Sequence, residues 1–297
     1  MARKALIGAG IVALLAVFVA LLGQKSPPPR PVFPSPNGYV DFVKAGEMVS
    51  AGNAPDRRTA TQNELQRYIE DNRDALQLVR TGLTKQSRVT TEYTPVYLTS
   101  HMPELARFKG LALALVAEGK LAELENRPGD AARIYLDTIR FAHESVRGGL
   151  HIDGLVGMAC EAIGITPLET LSTTLDAKQC RELLPTLELI DANREPFAEV
   201  MKQEKTWSRQ AFGWRGRIQV LVLRIFRRNL LTPALQKSEA KFRTADTRRR
   251  KLLVNLASHA YELEKGKRPA TIGELAPDYL KAIPTDPVTG APMGDLP

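Results

Sequence analysis

Hydrophobic residues form one unbroken run near the N-terminus and recur at helical spacing after it. From Ala5 to Gly23 no residue is charged or strongly polar, and a helix of this length spans about 28 Å, close to the hydrocarbon thickness of a bilayer. This run predicts a transmembrane anchor that includes Ala5, Leu14, Phe18 and Gly23. A cleaved signal peptide is the alternative, but the run is long for one and lacks a well-placed cleavage site.

The later patterns predict an all-α fold with an irregular multi-helix domain behind the transmembrane helix. A capping box of Thr61 and Glu64 marks a helix start, and the segment from Asn126 to Asp130 stops one helix and caps the next, which predicts a helical hairpin. No stretch shows sustained strand alternation. Further helical patterns cover Gly154 to Leu171, Lys178 to Ile190, Phe197 to Phe226 with breaks expected at Gly213 and Gly216, and Ser238 to Leu263.

These patterns divide the chain into four segments. Residues 1–23 form the anchor, and residues 24–38 contain six prolines, which favour a stiff polyproline spacer over a helix. A Pro-x-x-Pro docking ligand is the alternative for this linker. Residues 39–236 form the helical domain, and residues 237–297 form a long helix and a tail that pack on the helical domain.

The predicted hairpin resembles a single tetratricopeptide unit. Gly119 stands where the first helix of such a unit packs closely, Ala131 follows twelve residues later, and Tyr135 lies four beyond it. The resemblance implies a peptide-binding groove. No second unit follows in phase, so an isolated helical hairpin is the alternative.

The C-terminal tail carries turn-forming residues in a specific order, with a second capping box at Thr271 and Glu274. Its layout resembles the tail of N-terminally anchored helical bacterial proteins and the region after the long helix of type II secretion pseudopilins. The resemblance implies a packing module in which Tyr279, Leu280 and Ile283 cover the helix, and it implies no activity. The apolar run lacks the glutamate of the pseudopilin processing region, so a polymerising pseudopilin is not expected.

Charge and topology together indicate the partners. Lysine plus arginine outnumber aspartate plus glutamate by 41 to 33, a net charge of +8, which favours anionic partners. Arg3 and Lys4 precede the apolar run, so we expect a single pass through a bacterial inner membrane with a cytoplasmic N-terminus and an extracytoplasmic domain. The membrane and another envelope protein are then the expected partners. A cytoplasmic domain would instead favour nucleic acid.

Two basic segments follow later in the chain. A helix from Trp214 combines an apolar stripe with a cationic stripe of Arg217, Arg224 and Arg228, which predicts contact with anionic lipid. A core helix with arginines reaching solvent is the alternative. The Arg248–Lys251 run is interpreted as a solvated helix face.

Neither histidine nor cysteine spacing predicts a metal site or a cofactor. Cys160 and Cys180 are too few for a disulfide scaffold, and the alternatives for them are one disulfide, if the domain is exported, or two buried free thiols. The histidines form no metal-binding pair and are interpreted as structural or surface residues; they are His101, His143, His151 and His259.

Two glutamates are candidates for acid catalysis. The surroundings of Glu144 are faintly similar to those of the catalytic glutamate in lytic transglycosylases, although the spacing is too short and the expected glutamine is missing. Glu161 is interpreted as a helix-surface carboxylate, with a buried carboxyl of raised pKa as the alternative. The leading hypothesis is therefore a non-enzymatic, single-pass envelope scaffold or interaction protein. The alternative is a glycan-acting envelope hydrolase that uses Glu144 or Glu161.

Overall fold

A computed structural model describes residues 32–293 apart from 51–53 and 57, with the side chains of 214–232 left out. The described part is all α, with one isolated β-bridge between Thr285 and Pro292, so the predicted fold class is confirmed for it. The helices are α1 (Gly38–Met48), α2 (Gln62–Asp71), α3 (Arg73–Leu83), α4 (Tyr97–Leu124), α5 (Pro128–Glu144), α6 (His151–Leu171), α7 (Ala177–Ala192) and α8 (Phe197–Lys265), with 3-10 helices at Ser172–Thr174 and Ile272–Leu275.

None of the helices in the described residues combines the length and the apolar composition needed to cross a membrane. The predicted anchor, with Ala5, Leu14, Phe18 and Gly23, lies outside those residues, as does most of the proline-rich linker. The chain divides into two units, Met1–Val32 and Phe33–Pro297. All the elements named above belong to the second unit.

Capping side chains mark where α2 and α7 begin. The Thr61 hydroxyl accepts from the Glu64 amide at 3.3 Å and the Glu64 carboxylate accepts from the Thr61 amide at 2.8 Å, which confirms the predicted capping box of α2. Asp176 and Gln179 make the same reciprocal pair at the start of α7. Each box supplies partners to amides that the first helical turn leaves without one.

Helices α4 and α5 form the predicted hairpin. The chain turns at Asn126, whose φ of 57° lies in the left-handed region, and Pro128 begins α5. Gly119 faces the ring of Tyr135 so closely that a Cβ would overlap it, and the Tyr135 hydroxyl donates to Glu123. The two helices approach this closely because Gly119 has no side chain.

Besides a small cluster of Tyr97, Leu150 and Trp207, the core of the described residues consists of two large hydrophobic clusters joined through α5 and α6. One combines α1 to α4 with Phe141 and Cys160, and the other combines α5, α6 and α7 with the C-terminal part of α8 and the tail. Cys180 belongs to the second cluster, and both cysteines are free and buried. The structure therefore has two free thiols and not the alternative disulfide.

Helix α8 bends back on itself. Phe197 and Phe242 are about 45 residues apart, or roughly 68 Å along a straight helix, yet their ring centroids are 5.0 Å apart. Gly213, with a φ of 57°, and Pro233 both lie inside α8, and glycine and proline are usual causes of sharp helix bends. The two segments predicted separately from sequence are thus parts of one helix, whose N-terminal end lies beside the residues around Phe242.

The tail packs against α7 and α8. Tyr279 and Leu280 are buried in the same cluster as Leu256. The Arg181 guanidinium lies 4.1 Å from the centroid of the Tyr279 ring and donates to Glu264 at 2.6 Å. The Tyr279 hydroxyl donates to the same Glu264 carboxylate at 2.7 Å, so one cation, one ring and one carboxylate hold the tail in place.

Candidate functional site: the two faces of helix α6

Helix α6 has a buried face that carries charge and an outer face that lines a groove. Asp153 and Glu161 point into the protein and are 0% and 2% exposed. On the other side, Leu155, Met158 and Ala162 line an open depression against α8. The buried face contains Glu161, one of the candidates predicted from sequence.

Glu161 lies at the centre of a buried ion network. Arg249 donates to its Oε1 at 2.8 Å and Arg194 donates to its Oε2 at 3.1 Å. The His143 Nε2 lies 3.2 Å from Oε1. Glu161 on α6 is therefore held by side chains from α5, from α8 and from the segment after α7.

The network balances its own charge. Arg249 also donates to Asp191 and Asp246, at 2.8 and 2.9 Å, and Arg194 pairs with Asp246 at 2.6 Å. Arg250 adds a contact to Asp191 at 2.9 Å. Three carboxylates thus face three guanidinium groups, which makes the burial of so much charge tolerable.

The same contacts set the ionisation of the two central groups. Burial alone would raise the pKa of Glu161, but His143, Arg249 and Arg194 outweigh it and hold that pKa below its usual range. Burial lowers the pKa of His143 against the pull of Glu161.

Two sequence interpretations are corrected here. Glu161 is not a helix-surface carboxylate, and its pKa is lowered although it is buried, because the arginines that contact it come from distant parts of the chain. Within the Arg248–Lys251 run, Arg249 is 1% exposed and not solvated. Arg248 pairs with Glu169 at 2.6 Å, and of these four residues only Lys251 is exposed.

Glu144, the other candidate acid, lies outside this network. Its carboxylate accepts from the Arg147 guanidinium at 2.7 and 3.2 Å, one turn further along the chain. The Ser87 hydroxyl donates to the Glu144 carbonyl at 2.8 Å. The structure therefore places Glu144 in a local ion pair at the end of α5.

A second buried cluster surrounds His101. Its Nε2 lies 2.6 Å from Asp153 and its Nδ1 lies 3.4 Å from Glu104, and its ring stacks on Tyr97. The Tyr39 hydroxyl donates to Glu104. Because both imidazole nitrogens face carboxylates, His101 is held as a cation that joins α4 to α6.

The remaining histidines also have packing partners. His151 Nε2 is 2.6 Å from the Ser238 hydroxyl, and its ring stacks on Phe242; Ser238 is buried and projects from a helix, unlike a nucleophile exposed on a sharp turn. His259 Nε2 is 3.0 Å from the Leu175 carbonyl oxygen. Among the residues that the structure describes, no group of three or more His, Cys, Asp or Glu side chains is arranged to hold a metal ion.

An open groove of about 610 Å³ lies between the outer face of α6 and the C-terminal part of α8. Contacts from His151 to Ser238 at one end and from Glu161 to Arg249 further on show that the two helices run in the same direction. The groove lining is apolar along α6 and contains exposed cations along α8. It consists of Leu155, Met158, Ala159, Glu161, Ala162, Ile165, Lys237, Ala240, Lys241, Thr244, Ala245 and Arg248.

Sequence reasoning missed most of this site. It identified Glu161 but not its partner Arg194, nor Asp191 and Asp246, which pair with the arginines of the network, and it did not anticipate the groove. The charged residues of α8 gave the only signal, since three consecutive arginines cannot all lie on one face of a helix. The side chains of Trp214, Arg217, Arg224 and Arg228, predicted to contact lipid, lie outside the described residues.

Comparison of the chain with protein-family models, with curated proteins and with solved structures gave no match.

Proposed function

We propose that this protein is a membrane-anchored interaction protein whose helical domain binds another envelope protein through the groove between α6 and α8, here called the α6–α8 groove. The anchor and the extracytoplasmic location of the domain are carried over from the sequence. The observation that supports the proposal is the groove itself, with its apolar floor and its open mouth.

The composition of the groove favours a protein ligand. Ala159 and Ala162 are exposed, while Leu155 and Met158 are half-buried, so the floor consists of small residues beside larger apolar ones. Small residues let a partner backbone approach closely, and the larger ones supply apolar area for burial. The ion network behind this face fixes α6 against α8, which keeps the groove preformed and lowers the cost of ordering on binding.

Site-specific photo-crosslinking in cells tests the proposal. A benzophenone amino acid is placed at Ala159 or Ala162 in the groove and, as a matched control, at Thr173, an exposed position just beyond α6. We expect one discrete product from each groove position and none from Thr173. The crosslinked protein, once identified and purified, should bind the full-length chain and lose that binding with Ala162→Arg. Equal labelling from all three positions, or no discrete product, would contradict the proposal.

The bend of α8 favours a second function, contact with anionic lipid. Phe212 and Gly213 on one flank of residues 214–232 are exposed, as are Pro233 and Leu235 on the other. The described residues on both sides of the amphipathic stripe predicted from sequence therefore lie at the protein surface, where the flanks of an interfacial helix are expected.

Quenching by brominated lipid tests this second function. The chain has two tryptophans, and Trp207 is buried with Tyr97 and Leu150. In the full-length chain reconstituted into phosphatidylglycerol vesicles, quenching should therefore report on Trp214. We expect strong quenching that weakens when Arg217, Arg224 and Arg228 are changed to glutamine. Unquenched fluorescence in the wild type would exclude lipid contact.

The geometry does not favour the alternative of a glycan hydrolase. A general acid must carry a proton at the working pH, whereas Glu161 has a lowered pKa and is enclosed by arginines. Glu144 is paired with Arg147. Cell-wall degradation by the wild type that disappears in Glu161→Gln or Glu144→Gln would restore this alternative.

A further inference from the structure

We infer that the α6–α8 groove receives an acidic amphipathic helix of the partner protein, three turns of which lie along the groove. This inference rests on the proposed function and specifies the chemistry of the partner. It is supported by the spacing of the lining residues, by the length of the groove and by two lysines on one of its walls that form no ion pair with a described residue.

The spacing of the floor residues matches a helix. On α6 the lining residues Leu155, Met158, Ala162 and Ile165 follow one another at intervals of three, four and three, the repeat of a helix-packing seam. On α8 the lining residues include Ala240, Thr244 and Ala245, again one helical stripe of small side chains. Two parallel helices with facing stripes form a trough that a third helix fills by knobs-into-holes packing.

The dimensions agree with this occupant. The floor extends for about ten residues of α6, or roughly 15 Å, which corresponds to about three helical turns. A groove of 610 Å³ accommodates a row of apolar side chains from one face of a helix and leaves its other faces in solvent. An extended strand would need exposed backbone groups to pair with, and the walls here are helices whose backbone groups bond internally.

The positive charge on the α8 wall indicates that the partner carries negative charge. Lys237 and Lys241 are one helical turn apart on the same face and exposed, and no described residue forms an ion pair with either. Like charges at this spacing repel each other. Glu161 is the only carboxylate among the described lining residues, and it is buried and engaged by arginines.

At the far end of the groove the positive charge of the lining is already paired. Arg248 is half-buried and makes a bidentate pair with Glu169, at 2.6 and 2.9 Å, and also donates to Thr166. The positive charge available to a ligand is therefore concentrated at the Lys237 end. A partner helix with two carboxylates one turn apart would place one against each lysine, because both helices rise by the same distance per turn.

Peptide binding to the purified full-length chain in mild detergent tests the inference. The probes are two labelled helical peptides with the same leucine stripe, one flanked by glutamates and one by lysines. The variant is Lys237→Glu with Lys241→Glu, and the matched control is Lys251→Glu with Lys267→Glu, which changes the same number of exposed lysines away from the groove. Circular dichroism checks that both variants keep their helix content.

We expect the acidic peptide to bind the wild type and the control alike, and to lose at least about tenfold in affinity for the groove variant, since two attractions become repulsions. The basic peptide should bind the groove variant better than the wild type. Equal binding of both peptides, or equal loss in the control, would overturn the inference. If the groove positions still crosslink a partner in cells, only the charge assignment fails; if they do not, the proposed function fails as well.

Discussion

The Arg249 guanidinium donates to Glu161 Oε1 at 2.8 Å, and the two side chains are 1% and 3% exposed. This contact joins α8 to α6 directly behind the floor of the groove. A buried ion pair contributes little net stability compared with an apolar pair of the same size, but the loss of one partner leaves the other charged and enclosed. Loss of either residue is therefore expected to disturb the register in which α6 and α8 pack against each other.

Glu161→Gln is expected to destabilise the domain by about 3 to 5 kcal/mol, the range for one partner removed from a buried pair. Its amide keeps the shape of the side chain but leaves the network with three guanidinium groups facing only the two carboxylates of Asp191 and Asp246. Urea denaturation followed by circular dichroism measures the change in the free energy of unfolding. The matched control is Glu169→Gln, which removes the half-exposed partner of Arg248 and should cost under about 1 kcal/mol.

Similar stability of the two variants would mean that the network around Glu161 is not tightly packed. An unaltered free energy of unfolding together with lost glycan hydrolysis would instead assign Glu161 a catalytic role. The experiment thus separates the structural interpretation of this residue from the hydrolase alternative.

Structural features that depend on residues close together in the chain could be predicted from the sequence. The capping box of Thr61 and Glu64 and the turn that contains Asn126 depend on residues within four positions of each other, and both are present in the structure. Glu161 and Arg249 are 88 residues apart in the chain. Hydrophobic periodicity carries no information on which charged side chains meet across such a distance, so Glu161 was assigned to the surface.

The groove was unpredictable for a related reason. Its two walls come from α6 and from the part of α8 that follows the bend, and the sequence treats that part as a separate helix. Gly213 and Pro233, the residues that signal a bend, are visible in the sequence. The angle through which the helix bends is not. The direction in which α8 returns decides whether Lys237 and Lys241 lie beside α6 at all.

His101 is expected to make stability depend on pH in the alkaline range. Burial alone would lower its pKa, but hydrogen bonds to Asp153 and Glu104 outweigh it and raise the pKa of His101 to about 9. Tyr97 and Tyr39, which also adjoin the cluster, have raised pKa values and stay neutral. A raised folded-state pKa stabilises fully below the unfolded value of about 6.5, and the contribution is lost as pH rises through about 9.

Urea denaturation between pH 6 and pH 10 measures this contribution, which is on the order of 3 kcal/mol for a shift of this size. His101→Gln should be less stable at pH 6 and should lose less stability on going to pH 10. The control His259→Gln, which alters the histidine that contacts a backbone carbonyl, should keep the wild-type slope. A His101→Gln variant with the wild-type slope would show that His101 is not the titrating group.

Gly119→Ala tests the close approach of α4 and α5. In an exposed helix this change stabilises by roughly 1 kcal/mol, but here the added Cβ would overlap the Tyr135 ring, and overpacking of this kind costs about 1 to 3 kcal/mol. We therefore expect net destabilisation by thermal or urea unfolding. Gly273→Ala is the control, because the nearest atom to its Cβ would be Thr271 Oγ1 at 3.5 Å. Stabilisation by Gly119→Ala would contradict the hairpin packing.

Thiol labelling distinguishes the two states of Cys160 and Cys180. Both are buried, and burial raises the pKa of each to about 12, so a maleimide should label the native, unreduced protein slowly. Two thiols should react at once when the same sample is unfolded in urea. A count of zero in the unfolded, unreduced protein would show that the cysteines are paired.

The return of α8 is the feature on which the groove depends, and pulsed electron paramagnetic resonance tests it directly. Spin labels replace Lys202 and Arg243, both exposed, in a Cys160→Ala and Cys180→Ala background. A straight helix would separate them by about 62 Å, whereas a helix whose Phe197 and Phe242 rings meet places them within about 25 Å. Labels at Lys251 and Lys265, in one straight segment, should be about 21 Å apart and provide the reference distance, here called the ruler pair. A distance near 60 Å for the first pair, with the ruler pair unchanged, would place Lys237 and Lys241 away from α6 and remove the groove together with both proposals built on it.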